Sequence, residues 1–144
     1  MNYRAMKLIL ALLLTSLLLV STTIAEDDQT AKPSSLVGTW ERMHEENPQI
    51  KIFNDTHFVW FVYEAATGKT LSGGGGTYTF DGNTLKEKVI FSSYPELNGT
   101  EQTFTVESSD PDTFHQTGTV AANGDVIDET FTRVKPADAD HSEM

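Results

Sequence analysis

The sequence of 144 residues contains no cysteine. This absence excludes a disulfide framework, a thiolate metal site and a lipid anchor attached to a cysteine side chain. A small domain without these covalent supports depends on its hydrophobic core for stability.

No hydrophobic stretch has the length of a membrane-spanning helix. The most apolar stretch, residues 8–20, is shorter than the ~20 residues that span a bilayer. It follows Arg4 and Lys7 and precedes Thr23-Ile24-Ala25, an order typical of a secretory signal peptide cut after Ala25. A membrane anchor is the alternative that the short run disfavours. We therefore expect a secreted or periplasmic protein that does not insert into a membrane once residues 1–25 are removed.

Basic residues are scarce. Residues 26–144 keep 8 lysines and arginines against 21 acidic residues, a net charge of −13. Such a chain repels nucleic acid and anionic membranes, so neither is expected as a partner. The acidity indicates no particular function, because it also keeps an exported protein soluble.

Helical periodicity is also absent. Residues 26–35 and 136–144 are polar and are expected to form a disordered linker and tail, which leaves residues 36–135 as one domain. Turn residues such as Asn-Gly and Asp-Gly recur along this domain and predict an all-β, eight-stranded antiparallel up-and-down barrel. The predicted strands are 37–45, 50–53, 56–64, 77–80, 84–92, 102–107, 113–120 and 126–134.

Alternation along these strands places polar side chains inside the barrel. Residues predicted to point inward are Phe80, Leu85, Val89, Phe91, Phe104, Val106, Ile127, Phe131 and Arg133, together with the polar Tyr78, Glu87, Gln102 and Glu129, with Gln116 as a further candidate. A buried carboxylate is costly without a partner. Glu87 and Glu129 must therefore pair with Arg42, Arg133, His115 or water, or face a ligand. The candidate ligand-binding residues are Tyr78, Glu87, Gln102, His115 and Glu129, and the face of His115 is ambiguous.

The third predicted strand is apolar on both faces. One face carries Phe58 and Trp60, and its exposure would suggest a homodimer contact or a docking surface. Cover by the N-terminal tail or a loop is the alternative. After this strand, residues 67–76, which end in four glycines, are expected to form a flexible hairpin, either a gate at a barrel mouth or a loose turn.

The two ends of the domain carry a family resemblance. Leu36-Val37-Gly38-Thr39-Trp40 and Phe131-Thr132-Arg133-Val134, with KIFNDTHF at 51–58, GGTYTF at 75–80 and HQTGT at 115–119 between them, resemble small secreted lipocalin-like domains of uncharacterised bacterial proteins. The resemblance implies a calycin-type barrel with no assigned activity. It also implies that Gly38, Trp40 and Arg133 close one end, with the arginine across the tryptophan ring. The cysteine pair and C-terminal helix of true lipocalins, and the helical lid of fatty-acid-binding proteins, are absent from the sequence.

The sequence is compatible with three functions. We expect a binding protein for a small hydrophobic or amphipathic molecule, with no catalytic activity. The first alternative is a filled barrel that acts through the Phe58/Trp60 surface, and the second is an acid–base enzyme in which Glu87 and Glu129 share a proton.

Other motifs are weak. No cofactor is expected, and the four histidines lack close ligand spacing, so no metal site is expected either. Asn54 and Asn98 begin glycosylation sequons, which matter only where the source glycosylates exported chains.

Overall fold

The computed structural model describes residues 35–136. A single turn of 3-10 helix, Pro95–Leu97, lies between the fifth and sixth of eight strands. The strands are β1 (Gly38–His44), β2 (Asn47–Phe53), β3 (His57–Tyr63), β4 (Thr70–Phe80), β5 (Thr84–Ser92), β6 (Glu101–Asp110), β7 (Thr113–Thr119) and β8 (Val126–Arg133). The predicted signal peptide, residues 26–34 of the linker and residues 137–144 of the tail lie outside the described residues.

The eight strands form one closed antiparallel barrel in sequence order, which confirms the predicted architecture. Each strand pairs with the next, and β1 closes the circle by pairing with β8, where Trp40 is opposite Arg133. Short turns make this meander possible: Gly82 between β4 and β5 and Gly124 between β7 and β8 both have positive φ, which glycine adopts without strain. Closure leaves the sheet without free edges.

The meander gives the barrel two unlike ends. The β1–β2, β3–β4, β5–β6 and β7–β8 connections lie at one end, which we call the open end. The other three connections, and the entry and exit of the chain, lie at the opposite end, which we call the closed end.

Aromatic side chains fill the closed half of the barrel. Phe114 is fully buried, stacks on Phe131 at 5.0 Å between ring centroids, and meets Trp40 edge-on at 4.7 Å. Such pairs contribute about 0.5–1.5 kcal/mol each beyond the area they bury. The Trp40 indole Nε1 donates a hydrogen bond to the Leu36 carbonyl at 2.7 Å, so the buried ring has no unpaired donor.

Arg133 lies across the Trp40 ring at the closed end. Its Cζ is 4.0 Å from the ring centroid, and its Nη1 donates to the Val37 carbonyl at 2.9 Å. A Cβ on Gly38 would lie 2.5 Å from that Nη1, and Gly38 has φ +137°. Glycine at this position therefore adopts the backbone conformation without strain and leaves room for the arginine in its place over the ring.

Residues 70–76 belong to a strand, so the predicted flexible hairpin is wrong for the glycines, and the turn between β3 and β4 is confined to residues 64–69. The glycines lie within β4, which pairs with β3 on one side and β5 on the other. The ladder to β5 has a bulge between Gly75 and Gly76, and a Cβ on Gly76 would lie 1.9 Å from the Lys88 carbonyl oxygen. The glycines allow this close approach of two backbones.

The same bulge changes the direction of side chains in β5. Val89 is buried, but Phe91, two residues later, is 55 % exposed. The predicted inward position of Phe91 is wrong, because the extra residue of a bulge breaks the strict alternation of faces.

The predicted Phe58/Trp60 surface is also wrong. Phe58 is 1 % exposed and belongs to the core, and Trp60 is partly buried against it. The outward face of β3 carries Val59 and Phe61 instead, beside Ile52 of β2. Both faces of this strand are apolar, so its own sequence could not decide between them.

Candidate functional site

The open half of the barrel contains a cavity of about 480 Å³. Exposed residues of the open-end connections, including Tyr94, Glu96, Asn123 and Asp125, form its rim, so the cavity opens to solvent there. Its walls combine apolar and hydrogen-bonding side chains: Val62, Val89, Leu97, Phe104, Val120 and Ile127, with Gln49, Ser72 and Gln102. The volume lies in the range of small-molecule sites, about 300–1,000 Å³.

A layer of paired charges forms the floor of the cavity. Lys51 Nζ lies 2.6 Å from Glu87 Oε1, and the two side chains are 3 % and 6 % exposed. Lys51 Nζ also donates to Gln116 Oε1 at 3.1 Å, and Gln116 Nε2 donates to Glu129 Oε2 at 2.7 Å. Arg42 Nη2 completes the series by donating to Glu129 Oε1 at 2.6 Å. Gln116 therefore joins two ion pairs into one network.

Aromatic rings surround the lysine of this network. The distances from Lys51 Nζ to the ring centroids are 5.3 Å for Phe53, 5.7 Å for Phe58 and Phe104, and 5.8 Å for Phe131. All are within the ~6 Å at which a ring attracts a cation. The phenylalanine rings therefore pack around the ammonium group of Lys51 and stabilise its charge.

The carboxyl group of Glu87 is electrostatically unusual. Burial raises its pKa above the ordinary value of 4.5, Lys51 opposes the rise, and the charge of Glu129 adds to it. Oε1 is sealed from solvent and, despite its 2.6 Å distance from Nζ, has no hydrogen bond of ordinary angle to any residue in 35–136. The contact with Lys51 is an ion pair.

Three of the five predicted ligand-binding residues line this cavity: Glu87, Gln102 and Glu129. The amide of Gln102 is held at both ends, because Nε2 donates to Thr100 Oγ1 at 2.7 Å and Oε1 accepts from the Ala121 N–H at 3.3 Å. Glu129 pairs with Arg42, one of the possible partners named from the sequence, whereas the partner of Glu87 is Lys51, which was not among them.

Tyr78 is separated from the other candidates. Its ring packs edge-on against Phe53 in the closed half, 4.9 Å between centroids, and its hydroxyl donates to the Asn54 carbonyl at 2.6 Å. Burial, and secondarily the charge of Asp55, raises the pKa of the Tyr78 hydroxyl. Tyr78 does not line the cavity at the open end.

His115 lies on the outer surface, so its placement among the interior residues is wrong. Its neighbours Phe114 and Gln116 point inward, and alternation directs His115 outward. There its Nε2 lies 2.7 Å from Oδ1 of Asp128, whose side chain is 75 % exposed.

Lys51, the most buried cation of the cavity, was not predicted from the sequence to point inward. Lys51 shares its face of β2 with Gln49 and Phe53, whereas Ile50 and Ile52 point outward. The isoleucines make the wrong face look like the core face, so their alternation gave no signal for an interior lysine. One sequence signal favoured an inward Lys51: it lies two residues before Phe53, so the two side chains share a face of the strand.

Trp60 and Tyr94 form an aromatic pair beside the cavity. Their rings are stacked, with centroids 6.1 Å apart and planes 15° apart, and both residues line the cavity. Tyr94 comes from the β5–β6 connection, for which the sequence predicts only a turn. The pair offers a flat apolar surface next to the polar floor.

Two negative findings apply to residues 35–136. In this part of the chain no group of three or more histidines, cysteines or acidic residues is placed to hold a metal ion. None of the helical structure described there is long and apolar enough to span a bilayer.

Comparison with known proteins identifies a family but no activity. No curated protein matches the sequence significantly. A family model described as a domain of unknown function, DUF4488, matches residues 28–141, which include the whole barrel. The chain therefore belongs to the DUF4488 family of domains of unknown function.

Proposed function

We propose that this protein is a lipocalin-like binding protein that carries a small amphipathic molecule in the cavity at the open end of its barrel. The observation that carries the proposal is the cavity itself, which remains although the other half of the same barrel is packed with aromatic rings. A barrel that served only as a rigid scaffold would gain stability by filling this space as well, since empty volume in a core is destabilising.

The lining supports an amphipathic ligand. The stacked Trp60 and Tyr94 rings are suited to an apolar or flat part of a molecule, and the floor around Glu87 and Gln116 is suited to a polar end. The lipocalin-like assignment is supported by the Gly38-Thr39-Trp40 opening and by the position of Arg133 across the Trp40 ring.

The arrangement of charges favours binding over catalysis. Glu87 has Lys51 and Glu129 has Arg42 as its own cation at 2.6 Å. Two carboxyl groups that shared a proton would instead lie against each other without separate cations. We therefore propose no catalytic step. The basic, apolar and small-residue order of residues 1–25 supports a place of action outside the cytoplasm.

Native mass spectrometry of protein isolated gently from its own host tests the proposal. We expect extra mass that disappears when the same sample is denatured, and its value identifies the cargo. A bare mass, together with no binding in a screen of sugars, polyols, amides, alcohols and fatty acids, would refute the proposed function.

A matched pair of variants locates the cargo. Trp60→Ala removes half of the aromatic pair and should lower the occupied fraction. Ile90→Ala changes a 57 % exposed side chain of β5 that does not line the cavity, and should leave the occupied fraction unchanged. Equal occupancy in both variants would place the cargo elsewhere.

A further inference from the structure

We infer that the floor of the cavity selects an uncharged polar group of the ligand, such as a hydroxyl or a primary amide, and rejects both a carboxylate and an ammonium group. This inference rests on the proposed function and specifies the chemical class of its ligand. It arises from the charged side chains that line the floor, Lys51, Glu87 and Glu129, and from Arg42, which pairs with Glu129 without lining the cavity itself.

The four charges are mutually satisfied. Each ion pair has an N–O distance of 2.6 Å, and Gln116 bridges the two pairs by accepting from Lys51 and donating to Glu129. With both carboxyl groups ionised, two positive and two negative charges sum to zero. No floor cation or carboxylate in this network is left without an opposite charge for a ligand ion to use.

The floor therefore weakens the binding of a charged ligand group, whether the charge is positive or negative. Such a group would lose its hydration on entering and would meet a like charge beside each opposite one: a carboxylate near Lys51 also meets Glu87, and an ammonium near Glu87 also meets Lys51. At the rim, Glu96 and Asp125 further oppose an anion.

An uncharged donor avoids this penalty. The close contact of Glu87 with Lys51 is made through Oε1, whereas a carboxylate offers about four acceptor positions over its two oxygens. A hydroxyl or amide N–H can therefore donate to the Glu87 carboxylate without displacing Lys51. Glu87 is among the residues that line the cavity, where such a ligand group would lie.

Three ligands of one shape test the selection: 3-phenylpropanamide, 3-phenylpropanoate and 3-phenylpropylammonium. Titrations of isotope-labelled protein are followed by NMR at about pH 8, where free carboxyl groups are ionised and the amine is protonated. For the unmodified protein we expect the amide to bind roughly tenfold more tightly than either ion. Equal affinities, or a preference for an ion, would overturn the inference.

Two variants reverse the selection. Glu87→Gln leaves Lys51 without its counter-charge and should raise the affinity for 3-phenylpropanoate roughly tenfold. Lys51→Gln leaves Glu87 without its cation and should raise the affinity for 3-phenylpropylammonium. Glu101→Gln removes the same charge as Glu87→Gln from an exposed position on β6, so it controls for the change in net charge. If Glu87→Gln gains no more affinity for the anion than Glu101→Gln does, the inference is wrong.

Failure of this inference is distinguishable from failure of the proposed function. Should a variant not fold, as judged by its amide spectrum, the other variant and the ranking of the three ligands by the unmodified protein still decide the inference. Cargo found by native mass spectrometry together with no charge selection would leave the proposed function intact and remove only the selection of an uncharged group.

Discussion

Lys51 Nζ and Glu87 Oε1, 2.6 Å apart at the centre of the barrel, mark the boundary between its filled half and its hollow half. On one side of Lys51 lie the phenylalanine rings of the closed half, and on the other lie Gln116 and the cavity. The pair is almost fully buried, so each charge depends on the other.

Breaking the central pair on one side should destabilise the fold strongly. Lys51→Met leaves the Glu87 carboxyl group buried without its cation and should lower the free energy of unfolding by about 3–5 kcal/mol. The double variant Lys51→Met with Glu87→Leu removes both charges and should recover much of that loss. Urea unfolding measures both. A double variant as unstable as Lys51→Met alone would show that packing rather than charge dominates.

The raised pKa of Glu87 makes stability depend on pH. The folded state holds this proton more tightly than the unfolded state, whose pKa is near 4.5. The stabilising contribution of the neutral carboxyl group is thus complete below 4.5 and is lost as the pH rises through the raised pKa of the folded state. The free energy of unfolding of the unmodified protein, minus that of Glu87→Gln, should therefore fall as the pH rises from 4.5. Urea unfolding across this range measures the difference, and a constant or rising difference would contradict the assigned direction.

Gly38 should be less tolerant of alanine than another glycine with positive φ. Gly38→Ala strains the backbone and forces Arg133 away from Trp40, and should cost about 3 kcal/mol. Gly82→Ala strains a turn with φ +94° but meets no atom within 4 Å, so it should cost about 1 kcal/mol. Thermal or urea unfolding of the two variants measures both losses of stability. Equal losses would mean that the approach of Arg133 contributes nothing to the closed end.

The two tryptophans should report on the two halves of the barrel. Trp40 is 0 % exposed, whereas Trp60 is partly buried beside the cavity. Trp60→Phe, which keeps Trp40, should leave blue-shifted fluorescence that acrylamide quenches poorly. Trp40→Phe, which keeps Trp60, should give fluorescence that acrylamide quenches several-fold better and that a bound ligand protects. Similar quenching of both proteins would contradict an accessible cavity wall at Trp60.

Several features of the barrel could be predicted because their causes are local. Asn-Gly and Asp-Gly turns and a period of two predict strands and antiparallel neighbours whatever the rest of the chain does. The inward positions of Glu87 and Gln102 followed from the apolar residues on the same face of their own strands, and the structure places both there. Prediction failed where the local pattern was interrupted, as at Phe91, where a bulge shifts the alternation.

The amino-acid sequence by itself determined a cysteine-free, eight-stranded barrel, because turn residues and strand periodicity act over a few neighbouring positions. Tertiary structure alone decided which face of β2 and β3 points inward, since both faces of β3 are apolar and the choice depends on packing against strands distant in the chain. It also decided that Lys51 meets Glu87, and that the barrel is filled at one end and hollow at the other. These outcomes depend on how eight inward faces share one interior volume, which no single strand encodes.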